Sequence, residues 1–445
     1  MKIQEKGADY LVRSQAAEWQ RGTLGELLPI KYGKSLPEKL RDTTGSHPVF
    51  GSSGRVGIHS AALTVGPTLI IGRKGNVGAI HYSSEACWPI DTVYYVEPPD
   101  GQKLRYYKYL LESLNLVKLD KSTAVPGLSR DDYNAVEVVV APPDQQDGIV
   151  AEIEKQFSRL DEAVSNLKSV KANLKRYKAA VLTAAVEGRL VETEAELARR
   201  EGRSFETGGQ LLQRILETRR SRWKGKGKYK EPAAPDTSDL PELPEGWVWA
   251  SVNQIAEKVV DGTHHTPEYV TAGVPFISVK DVRDGMIHFD DTKYITSSVH
   301  DELIKRCRPE MNDVLITKSG TIGRTTVIST DKPFSLFVSV ALIKPVKPVV
   351  NSKFLKISLD AYIQSIDIAQ DIKGGLLKNL HLEDLRVVAI PLPPKSEQHR
   401  IVAEVDRRLS IIKGIECQVD ANYQRVERLR QSVLGKAFSG KRYAR

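Results

Sequence analysis

PPDQQDGIVAEI at Pro142–Ile153 returns as PPKSEQHRIVAEV at Pro393–Val405, and each copy opens a long stretch with helical spacing. Each stretch closes on a similar phrase, AVLTAAVEGRL at Ala180–Leu190 and SVLGKAFSGKR at Ser432–Arg442. Past the double proline the copies keep one offset: Ile149 and Ile401, Val181 and Val433, Gly188 and Gly440 all lie 252 positions apart. A module joined to a long helix, present twice, predicts two similar heads held at a set separation.

The helices follow from periodicity. Ile149, Ile153, Phe157, Leu160, Val164, Leu167, Val170, Leu174, Tyr177 and Val181 recur every three or four residues and form one apolar stripe. The second copy carries Ile401, Val405, Leu409, Ile412, Ile415, Val419, Tyr423, Val426, Leu429 and Val433. Asp144 and Ser396 stand where an N-cap belongs, and Gly188 and Gly440 where a helix stops. A helix from 144 to 189 would be roughly 65 Å long. Two such rods are expected to pair as an antiparallel coiled coil, each burying the other's stripe.

Pattern changes divide the rest. Residues 1–18 read as an N-terminal extension and 19–143 as a first head, with strands at Thr68–Gly72 and Ala135–Pro142 and a helix at Tyr106–Leu116. After the first long helix, 190–245 reads as a basic, Pro-rich linker, solvated in the main, with a short helical stripe in Leu211, Leu212, Ile215 and Leu216. Its run RRSRWKGKGKYK (Arg219–Lys230) has seven basic residues and no acid, which also suits an arm touching phosphates. The second head spans 246–394 and the second long helix 395–445. The fold class is mixed α/β (α+β). The heads echo each other in RKGNVG (Arg73–Gly78) and KSGTIG (Lys318–Gly323), each after an apolar strand. GTHHTPEY (Gly262–Tyr269) has no clear counterpart in the first head.

Composition narrows the class of function. The chain has 445 residues, a formal charge of +9 and 40% hydrophobic residues, enough for several domains and suited to a polyanionic partner. There is no apolar run of membrane length and no secretory leader pattern, so no membrane partner is expected. Three scattered cysteines give neither a disulfide framework nor a zinc spacing, which fits a reducing cytoplasm.

Catalytic motifs fail on inspection. Gly33-Lys34-Ser35 is the tail of a phosphate-binding loop, but Leu28 stands where its first glycine must be. GRKGNVG at Gly72–Gly78 lacks the strand–GxGxxG–helix setting of a dinucleotide site and reads as a turn. Both double prolines lack the following aromatic residue of an adenine methyltransferase, and no methyl-donor loop is present. His264-His265 has no partner at metal-ligand spacing. The chain reads as a binder, with no metal and no catalytic residue of its own.

The combination resembles the specificity (S) subunit of type I restriction–modification systems over nearly its whole length. The resemblance is carried by HPVFGSSGRVGIH (His47–His59) with RKGNVG, and by LPEGWVWASV (Leu243–Val252). DGTHHTPEYVTAGVPFISVKDV (Asp261–Val282), NDVLITKSGTIGR (Asn312–Arg324) and both PP…Q…IVAE helix starts add to it. The first head departs in lacking a DGTH-like segment. The resemblance implies two target recognition domains alternating with two helical regions in a pseudo-twofold internal repeat. It further implies an asymmetric bipartite target in double-stranded DNA, one half-site per head around an unread gap. Two modification (methyltransferase) subunits would supply S-adenosylmethionine and adenine-N6 chemistry, and restriction subunits ATP- and Mg-dependent translocation and cleavage. Candidate DNA-binding residues on polar loops are Ser52, Ser53, Arg55, Arg73, Lys74 and Asn76 in the first head. In the second they are His264, His265, Lys280, Lys318, Thr321 and Arg324. Neighbouring glycines single out Arg55, Lys74 and Lys318, because they permit close backbone approach. The alternative is a coiled-coil scaffold with two protein-binding heads, and a third reading, a self-contained methyltransferase, requires methyl-donor binding by the chain alone.

Overall fold

A computed structural model describes residues 19–439 except 43, 98–102, 121–125, 226, 348 and 374–378. The proposed extension 1–18 and Gly440 lie outside the described residues. Two compact units result: one takes the chain up to Ser169 together with Val419 onward, the other Val170–Gln418.

The duplication extends through every strand described in the first head. Gln20–Thr23 pairs antiparallel with Glu137–Val140 at the base of the first head, as Val248–Ser251 pairs with Ala389–Leu392 in the second. Thr23 and Ser251 then each cap a four-residue helix. The hydroxyl accepts from the backbone N–H three residues on, and the Glu26 or Gln254 side chain accepts from the capping residue's own N–H. This reciprocal box satisfies two donors that a helix start otherwise leaves orphaned.

A four-stranded antiparallel sheet comes next in each head. The order is Lys31–Tyr32, Val93–Val96, Thr68–Gly72, Ile80–Ser83 in the first, and Ala256–Asp261, Val340–Pro345, Val314–Thr317, Thr325–Val327 in the second. A three-stranded sheet repeats likewise: Gly54–His59, His47–Gly51, Trp88–Pro89 against Lys293–Ile295, Val274–Ile277, Ser335–Leu336. In both, one neighbour is antiparallel and the other parallel. The second head adds a hairpin, Val282–Arg283 with Met286–Ile287, and a helix, Ser297–Arg306.

Thr68–Gly72 is apolar on both faces because both are covered. Leu69 and Ile71 enter the main core beneath the helix Leu104–Leu114, while Ile70 packs with Cys87 and Val93 on the other side. Val314 and Ile316 part from Leu315 in the same way. A period of two with both faces buried reads as a continuous apolar run.

The long helices span Pro143–Val186 and Lys395–Ala437. Asp144 and Ser396 therefore lie inside the first turn, not at the N-cap. Proline tolerates the first helical position, where an N–H would have no partner. Gln146 and Gln398, the shared glutamine of the two starts, donate to the carbonyls of Ala141 and Pro393, five residues back in each copy. At the other end Gly188 has φ +69°, and Arg189 N–H donates to Ala184 O at 2.9 Å, the Schellman closure expected of a glycine stop.

Within each unit the two helices run antiparallel. In the first unit Arg430 ion-pairs with Asp161 and lies over Phe157, while Leu434 and Ala437 join the core that holds Ile149 and Ile153. In the second, Tyr177 lies beside Arg407 and Arg408, and Val181, Leu182 and Ala185 pack with Ile401, Val402 and Val405. Along the stripes Leu174, Ile412, Val419 and Val426 are buried as well, while Val170, Tyr177, Ile415 and Leu429 remain substantially exposed.

The linker is more ordered than a solvated connector. It forms helices Glu194–Glu201 and Gly208–Ser221, each with a threonine capping box. Leu211 and Ile215 of the second helix are completely buried in the core of the second head. The first is clasped to the second long helix: Glu194 N–H and Trp247 Nε1–H donate to the two oxygens of buried Glu397. Burial pushes the Glu397 carboxyl above its ordinary value, and the two donors offset part of that.

Candidate nucleic-acid interface

In the first head the strand Thr68–Gly72 runs into the loop Arg73–Gly78 and returns as Ile80–Ser83. Gly72 N–H donates to Ala79 O and Gly78 N–H to Gly72 O, both at 2.8 Å. In the second head Thr317 N–H donates to Arg324 O at 2.9 Å and Gly323 N–H to Thr317 O at 2.8 Å. Gly75 and Gly320 are left-handed at φ +78° and +75°, and Gly78 and Gly323 at +72° and +81°. A Cβ on Gly78 would stand 2.7 Å from Val117 N, so glycine is required there for space as well as for φ. The carbonyls of Arg73 and Lys318 accept from Leu128 and Leu380 N–H, two donors that again lie 252 positions apart. RKGNVG and KSGTIG are one loop built twice, with a cation at its first position.

What holds that cation differs between the heads. The Arg73 guanidinium lies over the rings of Tyr32 and Tyr94, at 5.4 and 5.8 Å, and its Nη2 donates to Asp91 O. Burial, and then the adjacent Tyr32 phenol, push Tyr94 up to about 12, so its phenol is neutral at physiological pH. Lys318 Nζ instead lies 2.6 Å from Asp261, whose carboxylate is 1% exposed and also takes Arg306 at 2.6 Å and His264 at 3.3 Å. Burial pushes Asp261 up. Its hydrogen bond to Lys318 and the surrounding positive charges outweigh that and hold it below the ordinary carboxylate range.

The remaining candidates distribute around these loops. The Ser52-Ser53 turn abuts the first: Asn76 Nδ2 donates to Ser53 Oγ, and Ser52 Oγ faces Gly75. Lys74 and Arg55 are exposed, and neither side chain makes a hydrogen bond or ion pair among the described residues. Thr321 is exposed on the second loop, where its carbonyl accepts from Thr317 Oγ1. Lys280 sits on the turn beside Gly320, but its charge goes to Asp291 at 3.0 Å. Arg324 Nη1 donates to Val282 O at 3.3 Å. His265 is exposed, with its backbone N–H on Thr263 Oγ1. The structure thus brings His264 and Lys318 onto one carboxylate, and gathers Ser52, Ser53 and Asn76. Lys280 and Arg324 make their contacts with Asp291 and Val282 O, apart from these two groups.

Sequence reasoning missed four residues here: Tyr32, Arg130, whose guanidinium also lies over the Tyr32 ring, Asp261 and Arg306. It also missed the counterpart of DGTH. Gly33 N–H donates to Val93 O and Lys34 N–H to Pro89 O, while Gly262 N–H donates to Val340 O and Thr263 N–H to Leu336 O. Tyr32-Gly33-Lys34-Ser35 therefore occupies the place of Asp261-Gly262-Thr263-His264, which corrects the expectation that the first head lacks this segment. A Cβ on either glycine would meet a backbone carbonyl at 2.0 Å. That close approach is the shared constraint, and a glycine common to both copies amid changed neighbours was the one available signal.

Among the described residues no helix is long and apolar enough to cross a membrane, and no group of three or more His, Cys, Asp or Glu could hold a metal ion. The geometry offers cations, amides and hydroxyls around two glycine loops, the equipment for phosphates and base edges.

The comparisons agree with this repeat. The family model for the type I restriction modification DNA specificity domain matches twice, at residues 16–173 and 244–420. The EcoBI type I restriction enzyme specificity subunit of Escherichia coli is 27% identical over 84% of this chain and 73% of its own length. The EcoDI specificity subunit of Escherichia coli is 23% identical over 95% of this chain and 88% of its own. One solved chain, from work on complex assembly and conformational transition of the type I R-M system, shares the fold at a TM-score of 0.59. It is 16% identical, with 95% of this chain and 97% of that chain covered. With the family model covering most of its length in two copies, the chain belongs to the type I restriction modification DNA specificity domain family.

Proposed function

We propose that this chain is the DNA-reading subunit of a type I restriction–modification complex and directs it to an asymmetric bipartite target. The observation that carries this is the glycine loop built twice on one scaffold, its leading cation held by an aromatic ring in one head and by a carboxylate in the other. Two copies of one reader with different chemistry at the same position suit two different half-sites. Phosphate contacts from exposed lysines and arginines give affinity without sequence information, and loop side chains in the grooves give selectivity. Arg55 and Lys74 supply such cations in the first head, and the two long helices set the number of unread base pairs.

The chemistry belongs to partners. Two modification subunits carry S-adenosylmethionine and methylate adenine N6, and restriction subunits carry ATP and Mg. The complex works in the cytoplasm, beside the chromosome it modifies. Purified alone, the chain is expected not to bind S-adenosylmethionine; stoichiometric retention of labelled methyl donor in equilibrium dialysis would show that the chemistry lies in this chain instead.

Head exchange tests the reading role. Replacing Gln20–Val140 with the corresponding segment of a related chain exchanges both basal strands together and leaves the helix start at Pro143 in place. The assembled methyltransferase is then expected to methylate a motif with one half changed and the other retained. Methylome sequencing that shows both halves altered, or neither, contradicts one reader per head.

A further inference from the structure

The two heads differ most informatively at a single ladder position. Tyr32 stands opposite Tyr94, which in turn stands opposite Ile71, two residues before Arg73. Asp261 stands opposite Ala341, which stands opposite Ile316, two residues before Lys318. Tyr32 and Asp261 are therefore the same position in the duplicated sheet, and each lies beneath the cation that leads its glycine loop. In the first head the support is a ring, 51% exposed, with the guanidinium groups of Arg73 and Arg130 at 5.4 and 5.9 Å from its centroid. In the second it is a buried carboxylate gripping Lys318, Arg306 and His264.

We infer that this shared position orients the loop cation in each head and so helps to set which bases that head accepts. Asp261 is too deeply buried to touch DNA and acts as a positioning residue through Lys318 and His264. Its carboxylate fixes the direction of the Lys318 amine and leaves that amine's other protons for an acceptor outside the protein. It also cancels one of the surrounding positive charges, so the second head presents a directed donor in place of an unpaired charge. Tyr32 holds a planar guanidinium over its ring and leaves its charge intact. With Nη2 donating to Asp91 O, the guanidinium keeps further N–H donors for an acceptor outside the protein, such as a guanine edge. Exchange of the support is thus a change of reading chemistry that leaves the loop backbone as it is.

The inference rests on the reading role proposed above, and the test separates the two. In the assembled methyltransferase, binding is measured on duplexes carrying single-base substitutions in one half-site at a time. Tyr32→Leu is expected to reduce base discrimination in the first half-site roughly tenfold and leave the second unchanged. Tyr32→Phe, which keeps the ring, is expected to retain it. Asp261→Asn and Lys318→Ala are each expected to reduce discrimination in the second half-site by a similar factor. Their double variant is expected to lose less than the product of the two single losses, since both remove the Asp261–Lys318 interaction. Tyr32 is half-exposed, so the first head decides the question even if Asp261→Asn lowers the melting temperature. Unchanged discrimination in Tyr32→Leu overturns the inference, as does a double variant that loses the product of the single losses. A wild-type complex with no base preference in either half-site overturns the reading role itself, and this inference with it.

Discussion

Ile401→Asp is expected to unfold the unit formed by Val170–Gln418 at temperatures where the native chain is intact. Ile401 is completely buried, in a cluster with Val181, Leu182, Trp247 and Phe354. Glu397, one turn earlier, takes both Trp247 Nε1–H and Glu194 N–H. A second carboxylate at 401 would stand among the apolar side chains of that cluster and near a like charge, and Glu397 is itself buried enough for its pKa to rise. Removing the side chain alone, as in Ile401→Ala, costs about 2–5 kcal/mol through lost burial and the cavity left behind. The unpaired charge adds several kcal/mol. Set against a domain stability of about 5–15 kcal/mol, the sum is decisive. Hydrogen-exchange mass spectrometry should show protection lost at 181–190, 352–366 and 395–409. The strands Thr68–Gly72 and Val93–Val96 of the other unit should keep theirs. Protection retained around Ile401 in the variant would mean that the helix end is not anchored by this core.

The parts of the fold legible in sequence are those where one residue type has one physical solution. Pro142–Ile153 and its repeat were readable because a proline start, a glutamine that closes on a carbonyl and an apolar stripe leave few substitutes. The glycine loops were readable because left-handed backbone at Gly78 and Gly323 excludes other residues. The sheets of the two heads were not readable as copies. Their hydrogen bonds are backbone to backbone, so the ladder survives almost any change of side chain. Tyr32 and Asp261 share a position and no chemistry, and only the register reveals the match. Lys318 shows the same limit from the other side. A lysine between strand and glycine looks free in a sequence, and a buried carboxylate 57 residues away decides otherwise. Likewise the stripe Leu211–Ile215 announced a helix, but its burial against the second head depends on partners far along the chain.

Lengthening both long helices by seven residues is expected to lengthen the unread gap of the methylated motif by about three base pairs while both half-sites stay the same. The sites chosen are the exposed stretch Lys168–Asn173 of the first helix and Lys413–Gln418 of the second, away from the anchoring clusters at either end. Seven residues add roughly 10 Å along a helix and leave the residues beyond the insertion within about 20° of their former face. At roughly 3.4 Å per base pair that rise corresponds to about three pairs. Four residues would add roughly 6 Å, or one to two pairs, with a turn of about 40° that takes the Val181 and Ile401 clusters out of phase. The seven-residue variant is therefore expected to stay more active than the four-residue one. Single-molecule methylome sequencing of strains carrying each variant reads both gap and half-sites directly. The half-sites should not move, because Arg73–Gly78 and Lys318–Gly323 are fixed by bonds inside their own heads: Leu128 and Leu380 N–H to the loop carbonyls, and Tyr32 or Asp261 beneath the cation. An active seven-residue variant with an unchanged gap would place the ruler elsewhere, in the partner subunits or in the bend of the DNA.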